Sequence, residues 1–254
     1  MLIVNADDFG LSESVNSAIL EAFRLGLISS TTIMANMPGF EQACELAHRH
    51  QLSEHIGIHL VFDCGAPLAA QIHDQPTLCG ADGGLSPQFG RRHIRLSRGE
   101  RMAIEAELTA QIARCRAHGL KLTHLDSHHH LHTTPAFAPA VFAVAKRERI
   151  PHVRIARNTR ARENILMRLY KFGFNARLTN LGFRRTDAFG SAGEVQARGA
   201  AWQARHSIEV MVHPAWDSSG TLIDAGTGLL SEGLRSIQGV ASAVSYSGAR
   251  RKSA

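Results

Sequence analysis

The chain has 254 residues, 44% apolar and 20% charged, a balance that supports a sizeable buried core and excludes an intrinsically disordered protein. No apolar stretch approaches the roughly 18 residues of a membrane span, and four scattered cysteines without CxxC spacing (Cys44, Cys64, Cys79, Cys115) exclude a disulfide frame and suit reduced thiols in the cytoplasm. The formal net charge of +6 gathers at 91–101, 157–185 and the tail Arg250-Arg251-Lys252, with no recognised nucleic-acid-binding motif beside it.

In chain order, short runs rich in β-branched residues alternate with stretches of helical period, the pattern of repeated βα units around a parallel sheet. The first strand, expected at 2–7, leads into Asn5-Ala6-Asp7-Asp8-Phe9-Gly10. A helix follows from the N-cap Ser12, with Val15, Ile19 and Phe23 at intervals of four and Gly26 as its stop. Strands at 30–35 and 55–62 come next, the second carrying His59. From 64 to 96 the chain is rich in Gly, Pro and Asp with little periodicity, and reads as an insertion lying over a site. Ser97 and Glu100 then form a capping-box pattern, Ile104, Leu108, Ile112 and Cys115 a buried stripe, and Gly119 the end.

A strand at 121–127 runs into His124-Leu125-Asp126-Ser127-His128-His129-His130-Leu131-His132, which holds five of the fifteen histidines. Thr134-Pro135 opens another helix that Pro139 can delay or kink. A strand at 152–156 carries Arg154, and one at 207–213 ends in His213-Pro214-Ala215; further strand candidates lie at 185–189 and 242–246. Between them, Arg160, Arg162, Arg168, Lys171, Arg177, Arg184 and Arg185 are interleaved with Ile165, Leu166, Leu169, Tyr170 and Phe174. That stretch reads either as a solvated face or as a surface for an anionic partner or substrate. Six to eight strands in βα alternation fit a closed or nearly closed barrel better than a flat doubly wound sheet. We expect one domain at 1–249 and a disordered basic tail at 250–254.

The ionisable residues stand at strand ends, where such folds gather function. Asp8, His59 and His128 form a set of the kind that holds a catalytic divalent metal. Asp7 and Asp8 point to opposite faces of an extended strand, so with one on the metal its neighbour is free to act as base. His213, on a separate strand, is the candidate proton donor. Asp126 is a candidate orienter of a ligand imidazole. His132 is expected as ligand or substrate contact, and His124, His129 and His130 as supporting or packing residues. Arg154 reads as a substrate-facing group or a structural ion pair. Two imidazoles and a carboxylate favour Zn2+ or another transition metal.

Taken together, Asn5-Ala6-Asp7-Asp8-Phe9-Gly10, Gly57-Ile58-His59-Leu60, residues 123–132 and Val210-Met211-Val212-His213-Pro214-Ala215 resemble the signature segments of the YdjC-like carbohydrate deacetylases, which include chitooligosaccharide deacetylases and hopanoid-associated members. Thr186-Asp187-Ala188-Phe189-Gly190 is also similar to a family segment. The resemblance implies an α/β fold, a distorted TIM-like (β/α) barrel of about seven strands related to the polysaccharide deacetylases, and removal of an N-acetyl group from an amino sugar or glycoconjugate. It further implies one divalent ion, usually Mg2+, on Asp8, His59 and His128, with Asp7 as general base and His213 as general acid. The basic segment suggests an anionic or lipid-linked substrate. Rival readings are a metal-dependent phosphoesterase acting on an anionic sugar and a non-catalytic metal- or carbohydrate-binding module; a homodimer is an allowed assembly.

Overall fold

The structure is a computed structural model that describes residues 1–86, 94–225 and 227–249. The basic tail and part of both the 64–96 insertion and the 91–101 cluster therefore lie outside the described residues.

Seven parallel strands form one sheet: β1 (Leu2–Phe9), β2 (Ser30–Ile33), β3 (Ile56–Leu60), β4 (His124–Ser127), β5 (His152–Val153), β6 (Ala188–Ser191) and β7 (Ile208–Val212), in the order β5-β4-β3-β2-β1-β7-β6. The two edges curl together. Arg184 hydrogen-bonds across to β5 through both its backbone groups (Val153 N to Arg184 O, 3.2 Å; Arg184 N to Pro151 O, 2.9 Å), and Asn158 N donates to Phe189 O at 3.3 Å. These irregular bonds replace a ladder, so the expected barrel is present in distorted form, with its seam between β5 and β6.

Helices cover the outside of the sheet. α1 (Glu13–Arg24) starts at Ser12, whose hydroxyl accepts from Val15 N, and ends before Gly26 at φ +67°. α2 (Phe40–Arg49) follows β2, and α3 (Arg98–Ala117) carries the full capping box of Ser97 and Glu100. α4 begins only at Ala138, with Pro139 in its first turn, and runs to Arg147; the ring that lacks an N–H delays the start that Thr134-Pro135 had suggested. α5 (Ile165–Asn180) spans the basic stretch, and the short α6 (Ala192–Gln196) and α7 (Ala200–Gln203) lead to β7.

Two features differ from expectation. Residues 242–246 do not form a strand: a 3₁₀ turn at Val240–Ser242 precedes them and Val244 N bonds only to Leu2 O. The reason is that β1 is already paired on both sides, by β2 and β7. After β7, a small antiparallel sheet of β8 (Pro214–Trp216), β9 (Leu222–Asp224) and β10 (Gly228–Leu229), followed by α8 (Leu230–Arg235), leans on α1, with Trp216 Nε1 donating to Ser17.

Candidate active site

Parallel register brings the site together. His59 and Asp126 are Cα partners across β3 and β4, and His59 Nδ1 lies 2.7 Å from Asp126 Oδ1. Thr32, on β2, reaches both from its hydroxyl, at 3.1 Å from His59 Nδ1 and 3.2 Å from Asp126 Oδ2. Nδ1 of His59 is thereby occupied, and Nε2 stands 3.2 Å from Asp8 Oδ1.

Strict strand alternation would have sent Asp7 and Asp8 to opposite faces. Instead the β1–β2 register shifts between Ala6 and Phe9, and Asp8 adopts φ +70°. This bulge turns Asp8 back towards the barrel mouth, so both carboxylates face the site. A left-handed aspartate inside a strand is costly, and such strain gathers where function needs it.

Asp7 is almost fully buried and is gripped at both oxygens by Arg154: Nη1 donates to Oδ2 and Nη2 to Oδ1, each at 2.7 Å. Asn5 Nδ2 adds a third bond to Oδ1 at 2.9 Å. Burial works against the anion here, yet the guanidinium overrules it and holds the Asp7 carboxyl far below the usual carboxylate range. Arg154 is itself fully buried; Nη1 also lies 2.5 Å from Asp126 Oδ2, Nε donates to Glu209 Oε1 at 2.6 Å, and the guanidinium sits over the Phe189 ring. It is therefore a hub for three carboxylates rather than a group that meets substrate. Behind it, Glu209 hydrogen-bonds the Tyr246 hydroxyl, and burial pushes the Glu209 carboxyl up to about 7.

His128 opens a 3₁₀ turn (His128–Thr133) in which His129 and His130 have left-handed backbones, at φ +49° and +56°. Neither a continuing strand nor a helix describes this turn. His128 Nδ1 bonds Asp63 Oδ1 at 2.8 Å, its ring centroid is 6.0 Å from that of His59, and its pKa is about 10: burial works downward but Asp63 raises it. His129 Nδ1 takes the other Asp63 oxygen at 2.6 Å. His130 is turned inward beside Phe189, with Nδ1 buried and unpartnered.

The expectation that His132 is a ligand or substrate contact is corrected by its position. It is fully buried, Nδ1 meets Ser127 Oγ at 2.7 Å and Nε2 the Arg154 carbonyl at 3.2 Å, which leaves no nitrogen for an ion or a sugar. It braces the backbone of Arg154. His124 likewise lies in the core, stacked 3.9 Å from Tyr246 with Nε2 3.0 Å from Asn5 Oδ1. His213 is 39% exposed, its Nε2 3.9 Å from Asp7 Oδ2 and its Nδ1 3.8 Å from Asp224 Oδ1.

Sequence reasoning overlooked Asp63, Asn5, Thr32, Glu209 and Tyr246. Glu209 did carry a signal, since an acid between Ile208 and Val210 in an apolar strand points inward and needs a partner. Asp63 lies at the edge of the aperiodic 64–96 stretch and gave none.

Whether these residues fit a cation is answered by the donors. Asp8 Oδ1 is buried and makes no well-formed hydrogen bond, yet it faces an imidazole nitrogen whose ring partner is already held by Asp126. A carboxylate–histidine pair of this kind is the usual support of a metal-bound imidazole. Among the described residues, the groups whose ligand atoms all lie within 4.8 Å are Asp7, His59 and Asp126, and Asp63, His128 and His129. Asp8, His59 and His128 do not form such a group: Asp8 Oδ1 is 3.2 Å from His59 Nε2, and the His59 and His128 ring centroids are 6.0 Å apart.

A family model described as YdjC-like protein matches residues 1–238. The carbohydrate deacetylase of Geobacillus stearothermophilus is 48% identical over 150 residues, which are 59% of this chain and 57% of that protein. That of Brevibacillus brevis is 47% identical over 150 residues with the same coverage, and one from Vibrio vulnificus CMCP6 is 40% identical over 152 residues, 59% of this chain and 57% of its own. The match thus spans a little over half the length of these relatives. Among solved structures, a protein of Enterococcus faecalis V583 whose name suggests cellobiose-phosphate cleavage superposes with a TM-score of 0.72 at 22% identity, covering 96% of this chain and 97% of that one. The lactam utilization protein of Thermus thermophilus gives 0.50 at 16% identity, over 96% and 99%. At those identities the likeness is one of fold.

Proposed function

Because the chain belongs to the YdjC-like protein family, we propose that it is a metal-dependent carbohydrate deacetylase that removes an N-acetyl group from an amino sugar or glycoconjugate. The observation that carries this reading is the bulge at Asp8, which puts two carboxylates of unlike environment on one mouth: Asp8 with an unpartnered oxygen beside His59, Asp7 locked to Arg154. A binding module has no use for the second. Asp8, His59 and His128 would hold the ion, which would supply Lewis acidity towards water and the acetamide carbonyl. The rival group of Asp63, His128 and His129 is a poorer holder, since both Asp63 oxygens are already engaged by the Nδ1 atoms of those histidines. Ligand type favours Zn2+ or another transition metal and family resemblance Mg2+.

In this reading Asp7 takes the proton of the attacking water. Arg154 keeps it ionised and fixes its plane, so that its lone pairs are aimed before substrate arrives. His213, half-buried with Nε2 on the Asp7 side, delivers a proton from Nε2 to the departing sugar amine. Asp224 neighbours Nδ1 of that ring and accepts from the His213 backbone N–H at 2.7 Å, which fixes the turn. The phosphoesterase alternative is weakened by the cleft beside His129 and His130: Lys171 is paired with Glu163 and Arg157 with Glu194, so these cations are already answered. We take residues 1–249 as the catalytic unit and, on the strength of four free thiols, the cytoplasm as its setting.

The test is a mass-spectrometric screen for loss of one acetyl group across acetylated amino sugars and their conjugates, with Mg2+ or Zn2+ added back and aryl phosphates run beside them. Asp7→Asn is expected to abolish acetate release while metal content is retained, and His128→Ala to lose both. Near-normal deacetylation by Asp7→Asn would remove the base assignment, and phosphate release without acetate release would overturn the function.

A further inference from the structure

Five of the ten large apolar side chains exposed among the described residues belong to α5. Ile165, Leu166, Leu169 and Phe172 are 61, 73, 60 and 74% exposed, whereas Phe174 and Leu178 of the same helix are buried. Ile165, Leu169 and Phe172 recur at spacings of four and three, which puts them on one helical face, with Leu166 on its flank. Scattered apolar residues on a surface mean little, but a contiguous stripe marks a contact.

The charges around this stripe restrict what it can meet. Between 157 and 185 there are eight basic residues and one acidic one, Glu163, and Lys171 already holds that carboxylate. Arg160 leans at 3.6 Å on Glu194, which Arg157 binds more closely at 2.7 Å. Arg162 and Arg168 are exposed and, among the described residues, have no carboxylate partner. A second copy packed on this face would set these arginines against their own kind with no spare acid to answer them. Nucleic acid is favoured by stacking aromatics, and here the stripe is aliphatic apart from Phe172. Leucine and phenylalanine flanked by unpaired arginine suit an interface that offers acyl chains beneath a layer of negative headgroups.

We propose that α5, with the arginines leading into it, is a docking surface for an anionic lipid bilayer. No helix among the described residues is long and apolar enough to cross a membrane, so the helix lies in the plane of the interface. The same helix contributes Met167, Tyr170 and Lys171 to the cleft that reaches His129 and His130. Those three residues lie on the side of α5 opposite the stripe, so docking leaves that cleft clear of the bilayer. The binding is read without turnover and stands apart from the proposed reaction.

The experiment is co-sedimentation of the full chain with vesicles of phosphatidylcholine alone and of phosphatidylcholine mixed with phosphatidylglycerol, at low and high salt. Binding is expected on the anionic vesicles, weakening as salt rises, and falling at least tenfold in Arg162→Glu/Arg168→Glu and in Leu169→Ser/Phe172→Ser. As an independent reading, emission of a Phe172→Trp variant should shift to the blue on anionic vesicles only. Equal or absent partition onto the two vesicles, or binding untouched by both double variants, overturns the proposal. So does a stable dimer that Leu169→Ser/Phe172→Ser dissociates, or binding of an oligonucleotide through the two arginines without vesicle binding.

Discussion

Arg154 illustrates how much one side chain decides. Its planar fork meets Asp7 through two parallel bonds while Nε and Nη1 serve Glu209 and Asp126, an arrangement a lysine cannot reproduce. Arg154→Lys should therefore lower kcat by roughly 10²-fold, because Asp7 loses its fixed plane. The sign of the accompanying pH effect follows from the charges. The guanidinium lowers the Asp7 pKa against burial, so weakening it lets burial raise that pKa, and the ionised carboxylate, the proposed base, is lost at a higher pH. The acid limb of kcat/KM against pH is expected to move upward in the variant; an unmoved limb would leave Arg154 with a merely structural part.

At the scale of an element, β3 shows why a glycine stands in the run Gly57-Ile58-His59. A Cβ at Gly57 would come within 2.5 Å of the His124 ring, which is stacked on its other side against Tyr246 and has nowhere to retreat. Gly57→Ala is expected to cost about 1–3 kcal/mol, as overpacking does, measured by denaturant unfolding. Such a requirement is invisible in sequence, because it depends on β4 lying beside β3. What was legible were features written locally: the Ser97–Glu100 cap, the stripe of α3, the strand ends bearing Asp8, His59 and His213, and the alternation that makes a barrel. Less legible was whatever another element imposes. The bulge that brings Asp8 round, the left-handed pair His129 and His130, the burial of His132 and the β8–β10 sheet all arise from neighbours, and local propensity carries no trace of them.

For the molecule as a whole, the barrel interior keeps several imidazoles neutral. Burial holds His124 and His130 well below the usual histidine value, His132 at about 3, and His152 below its usual range, with nearby arginines acting in the same direction. Each such histidine takes up its proton more readily unfolded than folded. Their contribution to stability is complete above about pH 6.5 and is lost as pH falls from there towards the folded values. Glu209, raised to about 7 by burial, and Glu107, raised by burial as well, act oppositely above about pH 4.5, but they are two groups against four. The unfolding free energy should thus decline on acidification below about pH 6.5, and His132→Asn should flatten the decline by up to about 1.4 kcal/mol per pH unit. A stability profile that rises on acidification below about pH 6.5 would contradict this; above it, His59 and His128, whose pKa values are raised, act the other way. The seam between β5 and β6 acts on the same scale in a different way. Its edges are laced by a few isolated backbone bonds, while β7 with β1, β2 with β3 and β3 with β4 share regular ladders. Arg154 follows β5 directly on that loosely stitched line and reaches across to Asp7 on β1 and Glu209 on β7, so its guanidinium is the rivet that the backbone ladder lacks there.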